Sequence, residues 1–295
     1  WDNMQYWFRA VEKFAPWVNK IHFVTYGHLP KWLNIDNPKL NIAKHSDFIP
    51  QKYLPTFSSQ PIELNLHRIN GLAERFVYFN DDMFLLRPVK RELFFAGKDC
   101  LPTDFAITST ISTTTKEDMM PFIKLNCVTI LNGHFDKKEQ MKKHFSKWVN
   151  LAYGWNALRN LIFYGQHRFK GFANNHLAFS FLKSEYEDIW EKEYESLDDT
   201  SSHKFRSKLD LDNWLIRYWQ LTRGNFYPIG RHVKGKVYEI YNGVEQNQEL
   251  FKIIENQAMP MICINDNDNV DFEPMKERIK QAFDRILPEK SSFEK

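Results

Sequence analysis

Two adjacent carboxylates interrupt an apolar run at Arg75-Phe-Val-Tyr-Phe-Asn80-Asp81-Asp82-Met-Phe84. Phe76 to Phe79 are aromatic or β-branched and predict a buried strand. The apolar pattern resumes at Met83-Phe-Leu-Leu86. Carboxylates at a strand end between such flanks are costly to bury without a partner. A hard divalent cation holding a phosphorylated ligand removes that cost. Read alone, Asn-Asp-Asp also suits a polar turn between two strands. A second strand end, Met261-Ile-Cys-Ile264, runs into Asn265-Asp266. That pair suits either a metal shell or a capping turn before the last helix. Open α/β sheets bind ligands where such strand ends converge on one crevice.

The elements that would carry these residues follow from periodicity. Asn3 to Trp17 alternates at helical spacing and stops at Pro16. Lys20 to Tyr26 reads as a strand closed by Gly27, and Leu40 to Lys44 as a short second one. Pro61 to Asn70 reads as helix, with Glu63, His67 and Arg68 near one face. Alternating strands and helices imply an α/β sheet with crossover helices. Thr108 to Thr115 is all Thr and Ser apart from Ile111, and suits a loop or an edge strand. The pattern turns mainly helical over 137–230, read as a helical insertion or subdomain. Within it Glu187, Glu191 and Glu195 mark a solvated helix face. Met275 to Ile286 reads as a final amphipathic helix. With no repeat and no linker, 1–295 reads as a single domain.

Composition sets outer bounds. At 43% hydrophobic and 16% aromatic, the 295 residues can fill a sizeable core. The net charge of +3 is ordinary for a globular chain. No apolar run reaches the ~18 residues of a membrane-spanning helix. Cys100, Cys127 and Cys263 have no paired spacing, and an odd number cannot pair completely within the chain. They suggest a reducing compartment, and no Cys/His spacing suits zinc.

The segment 137–170 departs from that balance. It carries eight Lys/Arg against one Glu, a net +7, interleaved with Phe145, Trp148, Tyr153, Trp155, Phe163, Tyr164 and Phe169. Cations mixed with aromatics suit an anionic membrane surface, an anionic polymer acceptor or nucleic acid. They also suit a basic exterior whose aromatics pack inward. No nucleic-acid-binding fold signature accompanies them, so nucleic acid is not an expected partner.

Longer blocks now add to the acidic strand ends. Leu54-Pro-Thr-Phe-Ser-Ser-Gln-Pro-Ile-Glu63 and Leu66-His67-Arg68-Ile-Asn-Gly71-Leu precede the Asn80-Asp81-Asp82 strand. With Asp2-Asn3, Arg9-Ala-Val-Glu-Lys-Phe-Ala-Pro-Trp17 and Ile21-His-Phe-Val-Thr25, this stretch resembles the second conserved region of the Stealth family of sugar-phosphate transferases. Asn175-His176 with Thr200-Ser-Ser-His203-Lys-Phe-Arg206 resembles its third region. Cys263-Ile-Asn265-Asp266-Asn267 with Leu287-Pro288-Glu-Lys-Ser291-Ser-Phe293-Glu294 resembles its fourth. The order is right and the blocks span nearly the whole chain. The family includes bacterial capsular polysaccharide phosphotransferases and the animal N-acetylglucosamine-1-phosphotransferase. Its opening strand and loop, of the type Tyr-Thr-Trp-Val-Asp-Gly, have no counterpart here, so an edge of the nucleotide pocket is expected to be missing.

The resemblance implies a nucleotide-sugar-binding α/β sheet like that of GT-A glycosyltransferases, with helical additions. It implies transfer of a hexose-1-phosphate from a nucleotide sugar, a UDP-sugar for choice, to a sugar hydroxyl, with release of a nucleoside monophosphate. The setting is capsule or surface-polysaccharide synthesis on the cytoplasmic side, with peripheral contact through 137–170 at the inner face of the plasma membrane. The expected cofactor is Mg²⁺ or Mn²⁺ on Asp81, Asp82, Asn265 and Asp266, with Asp82 foremost. His176 is the expected general base or donor to phosphate, and Arg206 the clamp on the phosphoryl group. Asp2, Asn3 and Arg9 are candidates for the ribose and diphosphate, His67 and Arg68 for the floor of the crevice, and His203 and Lys208 for support of Arg206. The same residues leave open a metal-dependent glycosyltransferase releasing UDP, or a non-catalytic polysaccharide-binding module.

Overall fold

A computed structural model describes residues 1–113, 115, 117–267 and 270–295, so Thr114 of the Thr/Ser run lies outside the described residues. The chain is mixed α/β. Its strands are β1 (Ile21–Thr25), β2 (Leu40–Lys44), β3 (Arg75–Tyr78), β4 (Met83–Leu85), β5 (Phe95–Ala96), β6 (Leu101–Asp104), β7 (Phe179–Leu182), β8 (Tyr227–Pro228), β9 (Gly235–Glu239) and β10 (Met261–Asn265). These do not form the single open sheet expected from the alternation. They form four small ones: β1 parallel to β2, β3 antiparallel to β7, β4-β10-β9, and β5-β6-β8.

The division has a local cause. Among the described residues β1 and β3 each pair with one strand, and residues of both line a slot of about 1180 Å³. Trp7 and Val11 of the helix Met4–Phe14 line it, together with Phe23, Val77, Tyr78 and Phe79. Past β3 the chain turns at Asn80-Asp81-Asp82 and joins a different partner, β10, in antiparallel register with Cys263 opposite Met83.

Two large hydrophobic cores and one small one support this layout among the described residues. One large core packs Phe8 and Phe14 of the first helix against Phe84 of β4, Ile262 of β10 and Phe283 of the C-terminal helix Phe272–Ile286. The other large core gathers Trp148, Tyr186, Trp190 and Trp219 around the helices Met120–His134, Lys183–Lys192 and Asn213–Thr222. The segment 137–230 is largely helical, but its β7 pairs with β3, which ties it into the same fold. Glu187, Glu191 and Glu195 are exposed. At Gly235 a Cβ would lie 1.8 Å from the Met261 carbonyl oxygen, so only glycine lets β9 run this close to β10.

Candidate active site

The site is assembled where β3 ends and β10 ends. The Ile264 N–H donates to the Asp82 carbonyl at 2.8 Å, locking the Asn80-Asp81-Asp82 turn to β10. On the same turn, Asp82 Oδ2 accepts from His176 Nε2 at 3.1 Å and from Cys263 Sγ at 3.1 Å. Asn80 Nδ2 also approaches His176 Nε2, at 3.4 Å. Among the described residues Asp82, His176 and Cys263 are the one His/Cys/acid group whose ligand atoms all lie within 4.8 Å of each other.

His176 is delivered by a rigid approach. Arg217 is fully buried and bonds Asp104 through two oxygens, both at 2.8 Å. It also donates to the Asn174 side chain and the Ala173 carbonyl. Asn174 in turn donates to the Tyr218 hydroxyl at 2.7 Å. Arg231 grips the next step from outside, through Asn175 Oδ1 at 3.0 Å and the Asn174 carbonyl at 3.2 Å. Residues 173–175 are thus fixed, and His176 projects half-exposed from their end.

The electrostatics follow from these contacts. Burial pushes the Asp82 carboxyl up, but hydrogen bonds from His176 and Cys263 outweigh it and hold the group below the usual carboxylate range. The Asp82 hydrogen bond raises the His176 imidazole above its ordinary value, against its burial. Burial and then the Asp82 charge push the Cys263 thiol well up, so it stays a proton donor.

Asp82 Oδ1 is buried and takes no hydrogen bond among the described residues. Asp82 also lines a cavity of about 340 Å³ together with Asp2, Asn3, Asp81 and Asp266. An orphaned carboxylate oxygen beside further carboxylates is a donor set that fits a hard divalent cation. Asp81, Asp82 and Asp266 are the residues that would hold it. Asn265 is exposed and does not line this cavity, because alternation along β10 turns Ile264 and Asp266 to it instead. Trp1 Nε1 donates to Asp266 Oδ2 at 3.0 Å.

Other sequence candidates fall into three places. Arg9 is committed to Glu294, through two oxygens at 2.8 and 2.7 Å, and to the Leu287 carbonyl at 2.9 Å. It fastens the first helix to the C-terminal segment rather than facing the cavity. His67 is buried against Tyr186 and Trp190, and burial drives its pKa down to about 3. It stays neutral and packs as an aromatic. Arg68 lies over the Trp190 ring and bonds Asn65, away from the turn. His203 is held by Asp210 at 2.7 Å, and Lys208 lies over the Phe122 ring. Arg206 is exposed and bonds Gln60 Oε1 at 3.4 Å and Ser59 Oγ at 3.3 Å. Ser59 lines the large slot, as do Asn80 and Asp81, which puts Arg206 at the rim of the same cleft.

Glu63 is a residue whose importance sequence reasoning missed. It lines the slot, accepts from the Tyr78 hydroxyl at 3.0 Å, and lies close enough to raise the His176 pKa. Burial and then the nearby Asp212 charge push its carboxyl up to about 8, and burial pushes Asp212 to about 7. The one sequence cue was an acid inside Pro61-Ile-Glu63-Leu. A raised carboxyl pKa means the fold prefers the protonated form. That contribution is full below the unfolded pKa and is lost as pH rises through the folded value. The melting temperature should therefore fall between about pH 5 and pH 9. Glu63→Gln should flatten that fall; a Glu63→Gln curve parallel to wild type would refute the assignment.

A family model described as "Stealth protein CR2, conserved region 2" matches residues 1–101. The whole chain is 43% identical to a capsular polysaccharide phosphotransferase of Streptococcus pneumoniae, covering 86% of that protein. It is 40% identical to a receptor polysaccharide phosphotransferase of Streptococcus gordonii, again over the whole chain and 86% of the relative. Over 99% of the chain it is 37% identical to an exopolysaccharide phosphotransferase of Lactiplantibacillus plantarum, covering 84% of that protein. With its acidic turn, its His176 segment and its β10 end all lying within these full-length matches, the chain belongs to the Stealth family of polysaccharide phosphotransferases.

Proposed function

We propose that this chain transfers a hexose-1-phosphate from a UDP-sugar to a sugar hydroxyl of a surface polysaccharide, forming a phosphodiester and releasing UMP. The observation that carries the reading is the Asp82–His176 pair beside a cavity lined by three further acids, Asp2, Asp81 and Asp266. In this reading the sheets around the slot form a nucleotide-sugar-binding fold of GT-A type, and the reaction runs on the cytoplasmic side, at the inner face of the plasma membrane.

His176 donates Nε2–H to Asp82, which leaves the Nδ1 lone pair to accept a proton. The acceptor hydroxyl gives its proton to Nδ1 as its oxygen attacks the β-phosphorus. The new P–O bond forms as the bond from that phosphorus to the bridging oxygen breaks. The electron pair leaves on UMP. Asp82 holds the ring in this tautomer and stabilises the imidazolium that forms. Arg206 offers its planar guanidinium to the phosphoryl oxygens, because among the described residues no carboxylate pairs with it. Asp81, Asp82 and Asp266 would hold Mg²⁺ or Mn²⁺, which when bound would supply countercharge for the diphosphate.

The test is the identity of the released nucleotide. Incubation with a panel of nucleotide sugars, Mg²⁺ and an oligosaccharide acceptor should release UMP from one donor. Release of UDP would instead mean attack at the anomeric carbon. Retention of polymer without nucleotide turnover would mean a binding module.

A further inference from the structure

The helix Asn156–Ile162 is built inside out. Its amide, Asn160, is fully buried. Asn160 Nδ2 donates to the Ala106 and Trp148 carbonyls, and Oδ1 accepts from the Thr108 N–H at 2.8 Å. Ala157, three residues earlier on the same face, packs on the small core of Phe105, Ile107, Tyr153 and Ala173. The large apolar side chains point the other way. Leu151 is 98% exposed, Trp155 87%, Leu158 47%, Leu161 43% and Ile162 76%. Residues 155, 158 and 162 follow helical spacing and form one outward stripe, and the exposed Leu151 precedes it on the 3₁₀ turn Leu151–Tyr153. Single exposed leucines need no explanation, but a contiguous stripe anchored by a buried amide does.

The surrounding charge selects the occupant. From Gln140 to Lys170 there is no Asp or Glu. Lys142, Lys143, Arg159, Arg168 and Lys170 are exposed there. Lys147, by contrast, is spent on the Gly224 carbonyl, and Lys137 is buried. Several of the aromatics that the sequence left open, Trp148, Tyr153 and Phe169, pack inward; Trp155 does not. A protruding Trp and aliphatics on a segment that carries exposed cations and no acids match an anionic bilayer interface, where the rings enter the headgroup boundary and the cations meet lipid phosphates.

We infer that this stripe docks the protein on an anionic phospholipid bilayer through Leu151, Trp155, Leu158 and Ile162. The turn ahead of this helix lies near the loop that leads to His176. A Cβ at Gly230 would lie 3.0 Å from the Ala152 carbonyl, and the next residue, Arg231, grips Asn174 and Asn175 ahead of His176. The bilayer would thus lie beside the segment that carries His176, and an acceptor held at the membrane would approach from that side. The inference does not rest on the phosphotransfer reading, and no turnover is needed to test it.

The experiment is flotation with vesicles of phosphatidylcholine alone and of phosphatidylcholine with phosphatidylglycerol. Wild type should float with the anionic vesicles, less so as salt rises. A Trp155→Ser/Leu158→Ser/Ile162→Ser variant should bind roughly tenfold or more weakly while keeping the wild-type melting temperature, since these side chains bury little in the fold. Lys142→Glu/Lys143→Glu should weaken binding at low salt alone. Absence of wild-type flotation at low salt would overturn the inference. So would undiminished binding by the triple serine variant. A concentration-dependent dimer in light scattering that the serine variant abolishes would assign the stripe to a second copy and overturn it equally.

Discussion

Asp82→Asn is expected to reduce turnover by roughly a thousandfold or more while the protein still folds. Asparagine keeps the size of the side chain but removes the charge. Oδ2 now accepts from both His176 and Cys263. An amide can present its oxygen to one of these donors, but its NH₂ then faces other donors or the cation position. The variant should therefore lose the orientation of the imidazole and the carboxylate that its buried Oδ1 offers. A pH profile sharpens the test. The base must be neutral, so kcat/KM rises with pH through the His176 pKa, which Asp82 holds above its ordinary value. Without the Asp82 charge that limb should move to lower pH. Near-normal turnover at limiting Mg²⁺ would show that Asp82 is not a metal ligand. An unmoved acid limb would show that His176 is not the base.

Arg206→Lys should lower kcat by roughly a hundredfold or more and change donor affinity less. Among the described residues the guanidinium is held by long bonds to Gln60 and Ser59 and by no carboxylate, so its charge is available to a ligand. Lysine keeps the charge and loses the planar fork that meets two phosphoryl oxygens. Its contribution grows where charge redistributes in the transition state, which places the loss on kcat rather than KM. A structural arginine would behave differently. Lys and Ala variants would both lower the melting temperature, and the Lys variant would keep its turnover per folded molecule. Full kcat in Arg206→Lys would end the clamp assignment.

Residue patterns carried much of the local structure. β1, β2, β3, β4 and β10 are short apolar runs bounded by turns, and each lies within about two residues of where periodicity put it. The helix at Pro61 to Asn70 was overextended: the α-helix covers Ser59–Leu64, and a 3₁₀ turn follows over Leu66–Arg68. Pairing was far less legible, because which strands meet depends on contacts between distant segments. The same distance hid the centre of the site. Asp82 lies 94 residues from His176 and 181 from Cys263, so no local spacing could join them. Arg9 shows the converse. Its sequence neighbours suggested a ligand contact, whereas its partner, Glu294, is 285 residues away. The helix Asn156–Ile162 was ambiguous for another reason. An apolar stripe looks the same in sequence whether it faces in or out, and only the buried Asn160 distinguishes the two.

The slot between β1 and β3 has a consequence for handling the protein. Each strand presents a row of backbone donors and acceptors with no ladder partner on that side. A single exposed row of this kind already templates association between chains. Here the edges open on a slot with apolar walls, so an extended guest segment of alternating apolar character, from a neighbouring molecule or a partly unfolded copy, would gain a ladder and bury apolar surface together. Concentrated preparations of these residues should therefore be governed by strand capture, and a short soluble β-peptide added in excess should suppress their aggregation by occupying the gap first.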